Sequence, residues 1–274
     1  MTQLQRLLDE SSKLQALPHS AVRLSSLLSH ADWVLKDIVQ VVEHDLVLTG
    51  RLLRLANSST MAASHPVSSV GDAIVRVGPG PLLTLALASA VRMEMQRPLK
   101  SYGLEERELW RHSVAAALAV DRARKFCRTV PPPGSFVAGL LHDLGKLILD
   151  RHLTEPKLSA NDGVIDVGPE EETRQLGANH CVIGGMIASH WKLPPNVTDA
   201  ITHHHDPSGL EDETGRATAS FVALADCVAH RISGNENRSL PRYVVQIVQI
   251  DQQGFDGLCA ATAESLEAIL QIYS

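Results

Sequence analysis

The chain has 274 residues, of which 44% are hydrophobic and only 4% aromatic, so its core is expected to consist mainly of aliphatic side chains. The formal net charge of -6 gives no basic excess, which argues against nucleic acid as the main partner. No apolar stretch reaches the ~20 residues of a membrane helix, and the N-terminus lacks the apolar segment of a secretory signal. We therefore expect a cytoplasmic protein with no membrane partner.

Apolar residues at helical spacing begin near the N-terminus and recur along most of the chain, which predicts an all-α fold. In the first part, this spacing predicts helices within residues 4–28, 32–42, 46–56, 69–77 and 81–95. Residues 97–103 include Pro98 and Gly103, which interrupt a helix. This segment is predicted to separate an N-terminal helical subdomain, residues 1–100, from a second helical domain, residues 104–274.

In the second domain, an alanine-rich segment predicts one long helix over residues 105–128, and Pro131 to Gly134 end it before the helix that carries His142. Residues 156–170 lack periodicity and are expected to form a surface loop. Residues 243–250 are rich in valine and isoleucine and could form a strand, although a helix is favoured. Further helices are predicted at residues 171–191, 195–204, 215–232 and 265–272.

Side chains that suit a first-row divalent metal are concentrated in this second domain. Glu108 and His112 are four residues apart, so both project from one face of a helix. His142 and Asp143 diverge by ~100° on a regular helix, but both could reach one site from a helix end or across a cleft. The candidates are Glu108, His112, His142, Asp143, His180, the run His203 to His205, and Asp226.

Two further residues bear on this hypothesis. Asp226 lies in an alanine-rich helix, where a buried carboxylate requires a metal ion or a basic partner. Lys146 follows Asp143 by three residues and could bind a phosphate oxygen or pair with an acid.

Each candidate taken alone has a simpler interpretation. A single helical histidine is usually hydrogen-bonded, Glu108 and His112 could be a solvated pair, and the histidine run could be an exposed turn. The other histidines are interpreted as structural or surface residues: His19, His30, His44, His65, His152, His190 and His230. The cysteines, which form no CxxC motif, are interpreted as reduced packing residues: Cys127, Cys181, Cys227 and Cys259.

Several longer motifs occur in a fixed order between residues 14 and 230. They are Leu17-Pro18, Glu43-His44-Asp45, residues 49–58 (TGRLLRLANS), Leu109-Trp110-Arg111-His112, His142-Asp143-Leu144-Gly145-Lys146 and His203-His204-His205-Asp206-Pro207. Through them the chain resembles HDOD proteins, the HD-related output domains of bacterial signalling. The resemblance implies an N-terminal helical subdomain packed on an HD-type helical domain.

The resemblance also implies a set of metal ligands. HD phosphohydrolases hold one metal ion with residues in the order His, His-Asp, Asp, which here correspond to His112, His142, Asp143 and Asp226. The related HD-GYP phosphodiesterases add positions that correspond to Glu108, His180, His204 and His205. The final pair could instead be His203 with His204. One or two ions of iron, manganese, zinc or nickel would fit these ligands.

Two functional hypotheses follow. The first is a regulatory module that binds a signalling protein and has no turnover, although this chain retains the ligands that HDOD proteins commonly lack. The second is a metal-dependent phosphohydrolase or phosphodiesterase that acts on a nucleotide or another phosphoester, with Asp143 and Lys146 as catalytic residues. Asp206-Pro207-Ser208-Gly209 follows His205 where HD-GYP enzymes carry Gly-Tyr-Pro, so no turnover of cyclic di-GMP is expected.

Overall fold

The computed structural model describes residues 3–14, 17–30, 32–58, 65–154, 167–235 and 239–273. Helices make up most of these ranges, and no strand occurs within them, which confirms the predicted all-α fold. Leu99 and Leu104 form an isolated antiparallel bridge. The helices before this bridge are α1 Gln3–Ser12, α2 His19–Leu28, α3 Leu35–Glu43, α4 Leu46–Ala56, α5 Val70–Val77 and α6 Pro79–Met95.

The remaining helices form the larger part of the molecule. They are α7 Glu108–Ala123, α8 Ser135–Leu141, α9 Lys146–Leu149, α10 Pro169–Leu176, α11 His180–His190, α12 Pro195–His203, α13 Glu213–Ile232, α14 Arg242–Val248 and α15 Gln252–Tyr273. Short 3-10 turns lie at Lys100–Tyr102 and Pro207–Gly209. Helix α14 confirms the helical interpretation for residues 243–248, and it ends there because Gln249 has a φ of 52°.

Local sequence explains several helix ends. Asp45 caps α4 by accepting a hydrogen bond from the Leu48 amide at 3.0 Å, and its other oxygen accepts one from Ser20 Oγ at 2.7 Å. Gly78 has a φ of 85°, a conformation that separates α5 from α6. The hydrogen bond between Ser20 and Asp45 ties the start of α4 to α2.

Three predicted helices have different bounds. The helix predicted over residues 105–128 is shorter, because Arg107 has a φ of 72° and its amide donates to the Gln96 carbonyl instead of continuing a helix. The helix predicted over residues 171–191 is two helices, because Gly177 has a φ of 75° and Asn179 caps α11. The helix predicted over 265–272 begins much earlier, as part of α15.

The predicted loop over residues 156–170 lies mostly outside the described residues. The described part of it begins at residue 167, and Pro169 already starts α10. Proline at the first helical position favours this start, since its missing amide hydrogen has no partner there in any case.

Helix α7 is the centre of the packing. It contacts α6, α8, α13 and α15, and its alanines allow close approach of these helices. One hydrophobic cluster extends from Leu7 in α1 to Ile269 in α15. Helix α1 packs against α9 and α11, so the first helix lies with the helices that follow the predicted boundary at residues 97–103.

The segment between α6 and α7 is fixed to the end of α9. Arg97 Nη1 donates to Asp150 Oδ2 at 3.2 Å, and the Ser101 amide donates to Asp150 Oδ1 at 2.9 Å. Arg97 also donates to the Leu147 carbonyl. Because Asp150 accepts from both residues, it fixes the position of this segment relative to α9.

No one helix in the described ranges has both the length and the apolar character of a membrane span. Helices Val70–Val77 and Pro79–Leu87 reach that length only together, and they are bent by 106° at the break between them.

Gly145 provides a test of this packing, because the backbone of α11 crosses directly over it. A Cβ atom at Gly145 would lie 2.0 Å from the His180 carbonyl oxygen and 2.8 Å from the carbonyl carbon. Both are backbone atoms, so a methyl group forces the two segments apart. We expect Gly145→Ala to lower the free energy of unfolding by about 1–3 kcal/mol, the usual range for overpacking.

The matched control is Gly50→Ala in α4, where a Cβ would meet nothing within 4 Å. That change should raise the free energy of unfolding by about 0.5–1 kcal/mol, because glycine is less favourable than alanine inside a helix. Denaturant unfolding of both variants measures the difference. Equal stability of Gly145→Ala and the unmodified protein would contradict the close approach of Gly145 and His180.

Candidate metal centre

Five separate helix segments bring imidazole and carboxylate groups to one buried place. His112 lies in α7, His142 and Asp143 follow α8, and His180 begins α11. His204 and His205 follow α12, and Asp226 lies in α13. We call these seven residues the ligand cluster. The predicted convergence from a helix end therefore holds for His142 and Asp143.

The first part of the cluster is formed by His112, His142 and Asp226, whose ligand atoms lie within 4.8 Å of one another. Asp226 Oδ1 is 3.1 Å from His112 Nε2 and 3.5 Å from His142 Nε2. The two imidazole Nε2 atoms are 3.2 Å apart. Asp226 thus points into the cluster, and its burial in an alanine-rich helix is explained by these neighbours.

Asp143 lies between two parts of the cluster. Its Oδ2 is 3.6 Å from His112 Nε2 and 3.5 Å from His142 Nε2. Its Oδ1 is 3.4 Å from His180 Nε2. One carboxylate therefore faces histidines of both parts.

The second part is formed by His180, His204 and His205, whose ligand atoms and the neighbouring sulfur of Cys181 also lie within 4.8 Å of one another. His180 Nε2 is 3.2 Å from His205 Nε2. A third group with the same spacing, His142, Asp143 and His204, connects this part with the first. The ligand cluster is therefore continuous, and its residues are of the types that could hold a metal ion.

Three of the histidines present the same ring nitrogen to the cluster. His142 Nδ1 donates to the Gly139 carbonyl at 2.8 Å, and His204 Nδ1 donates to the Ile201 carbonyl at 2.7 Å. His180 Nδ1 lies 2.8 Å from both carboxylate oxygens of Glu172. Their Nε2 atoms consequently carry the free lone pair, which is how metal-binding histidines are usually oriented. This orientation fits a metal ion.

The electrostatics of the cluster favour the ligating protonation states at Asp143, His204 and His205. Burial alone would raise the pKa of Asp143, but Lys146 and the surrounding imidazoles hold it well below its ordinary value. Burial, together with the neighbouring His205, lowers the pKa of His204 well below its ordinary value. Burial likewise lowers the pKa of His205 to about 4. A carboxylate and neutral imidazoles are the forms that bind metal. Burial alone would also lower the pKa of His142, but the carboxylates of Asp143 and Asp226 raise it above its ordinary value.

Lys146 is buried and pairs with an acid, one of its two predicted roles. Its Nζ donates to Asp143 Oδ2 at 2.8 Å and lies 5.6 Å from the centre of the Tyr102 ring. A cavity of about 370 Å³ opens beside this pair and is also lined by His112. A small ligand in this cavity would meet the ammonium group, the carboxylate and an imidazole together.

Glu108 lies on the helix face that its spacing predicted, but its carboxylate makes a different contact from the one that the family resemblance implied. It lines the same cavity as His112, so the two do share one face of α7. Its Oε2, however, accepts a hydrogen bond from the Glu105 amide at 2.7 Å, and it belongs to none of the three ligand groups. Glu108 therefore closes the turn at residues 105–108 that leads into α7.

The structure separates the members of the histidine run and places one further histidine, His230, at the site. His204 and His205 belong to the ligand groups and His203 does not, which favours the later of the two predicted pairs. His230, interpreted from sequence as structural or surface, lies against the cluster with its Nε2 3.3 Å from Asp226 Oδ1. Its spacing of four residues from Asp226 was the available signal.

Sequence analysis missed Glu172 as part of the site. It is fully buried, accepts a hydrogen bond from the His180 amide at 2.7 Å and one from Tyr102 Oη at 2.9 Å. Glu172 lies in a run of three glutamates whose sequence gives no sign of which one is buried. Cys181 was also missed, although its position next to His180 was a usable signal.

Residues 14–207 match the HDOD domain family, and the chain belongs to that family. A protein of Treponema pallidum with no characterised function is 24% identical over 250 residues, 89% of this chain. Ribonuclease Y of Deinococcus radiodurans is 31% identical over 116 residues, 42% of this chain. This chain covers 48% of the first relative and 15% of the second.

Solved structures share the fold over nearly the whole chain. A proposed signal-transduction protein of Marinobacter aquaeolei is 22% identical with a TM-score of 0.72, covering 99% of this chain and 65% of that one. A proposed phosphohydrolase of Shewanella amazonensis is 26% identical with a TM-score of 0.62, covering 97% of this chain and 96% of that one.

The hydrogen bonds of Glu172 predict a role in metal binding. Glu172→Gln keeps the size of the side chain but removes the charge that orients His180. We expect metal affinity to fall by about 10–100-fold, the usual effect of losing such a partner. Competition with a chelator measures the change, and circular dichroism reports whether the helices persist.

Glu171→Gln is the matched control, because Glu171 is only partly buried and pairs with the exposed Arg174. Its metal affinity should equal that of the unmodified protein. If Glu172→Gln and Glu171→Gln bind metal equally well, Glu172 has no role in orienting His180.

Proposed function

We propose that this chain is a bacterial signal-transduction protein whose HD-like domain, residues 104–274, holds a divalent metal. The observation that carries the proposal is the shared orientation of His142, His180 and His204, each with Nδ1 engaged and Nε2 directed into the ligand cluster. Simple packing of buried histidines does not require this shared orientation.

The ligand cluster has two sets of residues for metal. His112, His142 and Asp226 would hold one ion, and His180, His204 and His205 would supply some of the ligands of a second ion. Asp143 lies between the two sets. The mixed nitrogen and oxygen ligands fit iron, manganese, zinc or nickel. When bound, such an ion supplies a Lewis acid and lowers the pKa of a coordinated water.

The signalling role is proposed to involve a protein partner that contacts the N-terminal subdomain, residues 1–100. Two large apolar side chains at the start of α4 support this, since Leu46 is 85% exposed and Val47 is 61% exposed. Both line a surface cavity between α2, α3 and α4. Neither residue belongs to the ligand cluster, so partner contact and metal binding would use different parts of the chain.

A second candidate function is hydrolysis of a phosphoester, and the cavity beside Asp143 favours it. Lys146, His112 and Tyr102 line this cavity of about 370 Å³. The ammonium group of Lys146 would attract a phosphate and stabilise negative charge that develops on it. The similarity to Ribonuclease Y and to the Shewanella protein supports the same chemistry.

The first experiment measures metal. Protein stripped of metal and equilibrated separately with Zn²⁺, Mn²⁺, Fe²⁺ and Ni²⁺ should retain one or two ions per chain after gel filtration. Asp143→Asn should lose at least about tenfold in affinity, because it removes the charge that faces both parts of the cluster. His203→Ala, outside the ligand groups, should retain the full metal content. Absence of stoichiometric binding for all four ions refutes the proposal.

The second experiment measures turnover. Metal-loaded protein is tested with bis(p-nitrophenyl) phosphate, short RNA and cyclic di-GMP. We expect no hydrolysis of cyclic di-GMP, because the Gly-Tyr-Pro element is absent after His205. Metal-dependent hydrolysis of either other substrate, lost in Asp143→Asn, would establish the second candidate. Efficient hydrolysis of cyclic di-GMP that Asp143→Asn abolishes would overturn a purely regulatory role.

A further inference from the structure

Cys181 occupies a position that packing alone does not explain. It is the second residue of α11, directly after His180, and only 4% of it is exposed. Cys127 and Cys259 pack against the main hydrophobic cluster, whereas Cys181 and Cys227 belong neither to that cluster nor to the residues packed against it. The surroundings of Cys181 are instead the imidazoles of the ligand cluster.

The sulfur lies within reach of an ion shared with histidine. Cys181 Sγ is 4.0 Å from His204 Nε2. Zinc binds thiolate sulfur at about 2.3 Å and imidazole nitrogen at about 2.0–2.1 Å, so two ligands of one zinc ion are less than about 4.4 Å apart. The separation of Cys181 and His204 satisfies this limit.

The three imidazoles around the sulfur complete a four-ligand set. The ligand atoms of Cys181, His180, His204 and His205 all lie within 4.8 Å of one another. Glu172 holds the ring of His180, and the Ile201 carbonyl holds the ring of His204. Four ligands of nitrogen and sulfur type match the number that tetrahedral zinc sites use.

We propose that Cys181 is a sulfur ligand of the ion held by His180, His204 and His205. This inference rests on the proposed metal function and specifies its second site. Binding breaks the S–H bond and forms a sulfur–metal bond, with the proton released to solvent. A thiolate favours ions such as Zn²⁺, Co²⁺ and Fe²⁺ over Mn²⁺ and Mg²⁺, which prefer oxygen ligands.

The proposal separates this part of the cluster from the other. His112, His142 and Asp226 offer only nitrogen and oxygen. The sulfur makes the second part softer, so the two sites would differ in their metal preference. An ion that binds tightly at the site of Cys181 need not be the one preferred beside Asp226.

The test uses X-ray absorption of the zinc-loaded protein and near-ultraviolet spectra of the cobalt-loaded protein. The unmodified chain should show a sulfur neighbour at about 2.3 Å from zinc and a sulfur-to-cobalt charge-transfer band. Cys181→Ser should lose both signals. In competition between Zn²⁺ and Mn²⁺, Cys181→Ser should lower the preference for zinc by about tenfold or more.

Two control variants identify the sulfur. Cys259→Ser lies outside the ligand groups and should keep both signals. Cys227 lines a second cavity beside His204 and His205, so Cys227→Ser tests the other nearby thiol. Loss of the sulfur signal in Cys227→Ser but not in Cys181→Ser would overturn the assignment.

The remaining outcomes are also decisive. Stoichiometric zinc without a sulfur neighbour refutes the role of Cys181 while the proposed metal function stands. Failure to bind any ion refutes both. If Cys181→Ser does not fold, as judged by circular dichroism, X-ray absorption of the unmodified chain together with Cys227→Ser still decides between the two thiols.

Discussion

The buried carboxylate of Asp143 is the group on which the rest of the site depends. It is 3% exposed within an aliphatic core, and an unpaired charge there would be strongly unfavourable. Lys146 offsets this with a hydrogen bond of 2.8 Å to Oδ2, and histidines from three helices surround both oxygens. The helices around α7 and α8 must therefore pack so that these partners reach Asp143.

The same requirement explains the polar contacts around the cluster. Glu172, also fully buried, fixes His180 and accepts a hydrogen bond from Tyr102, which belongs to the segment between α6 and α7. That segment is held against α9 by Asp150. A displacement of the segment would thus act directly on Tyr102 and, through Glu172, on the ring of His180. This is a short physical connection between the N-terminal helices and the ligand cluster.

The positions of five of the seven residues in the ligand cluster follow from how a helix begins or ends. His142 and Asp143 follow the last turn of α8, and His204 and His205 follow the last turn of α12. Neighbouring residues in a continuous helix diverge, whereas a helix end lets both face one place. Gly177 acts similarly, because it ends α10 and allows Asn179 to start α11 with His180 at its first position. The breaks between helices therefore position these five residues, whereas His112 and Asp226 project from the interior of α7 and α13.

Sequence by itself determined that the chain is helical, because apolar spacing is a local property that survives in any packing. It also determined the types and order of most metal-type side chains, from His112 to Asp226. Only the tertiary structure distinguished His204 and His205 from His203, left Glu108 outside the ligand groups, placed Glu172 against His180, and brought His230 and Cys181 to the site. These facts depend on distances between residues far apart in the chain. Such distances are fixed by the packing of α7, α8, α11, α12 and α13, which periodicity does not encode.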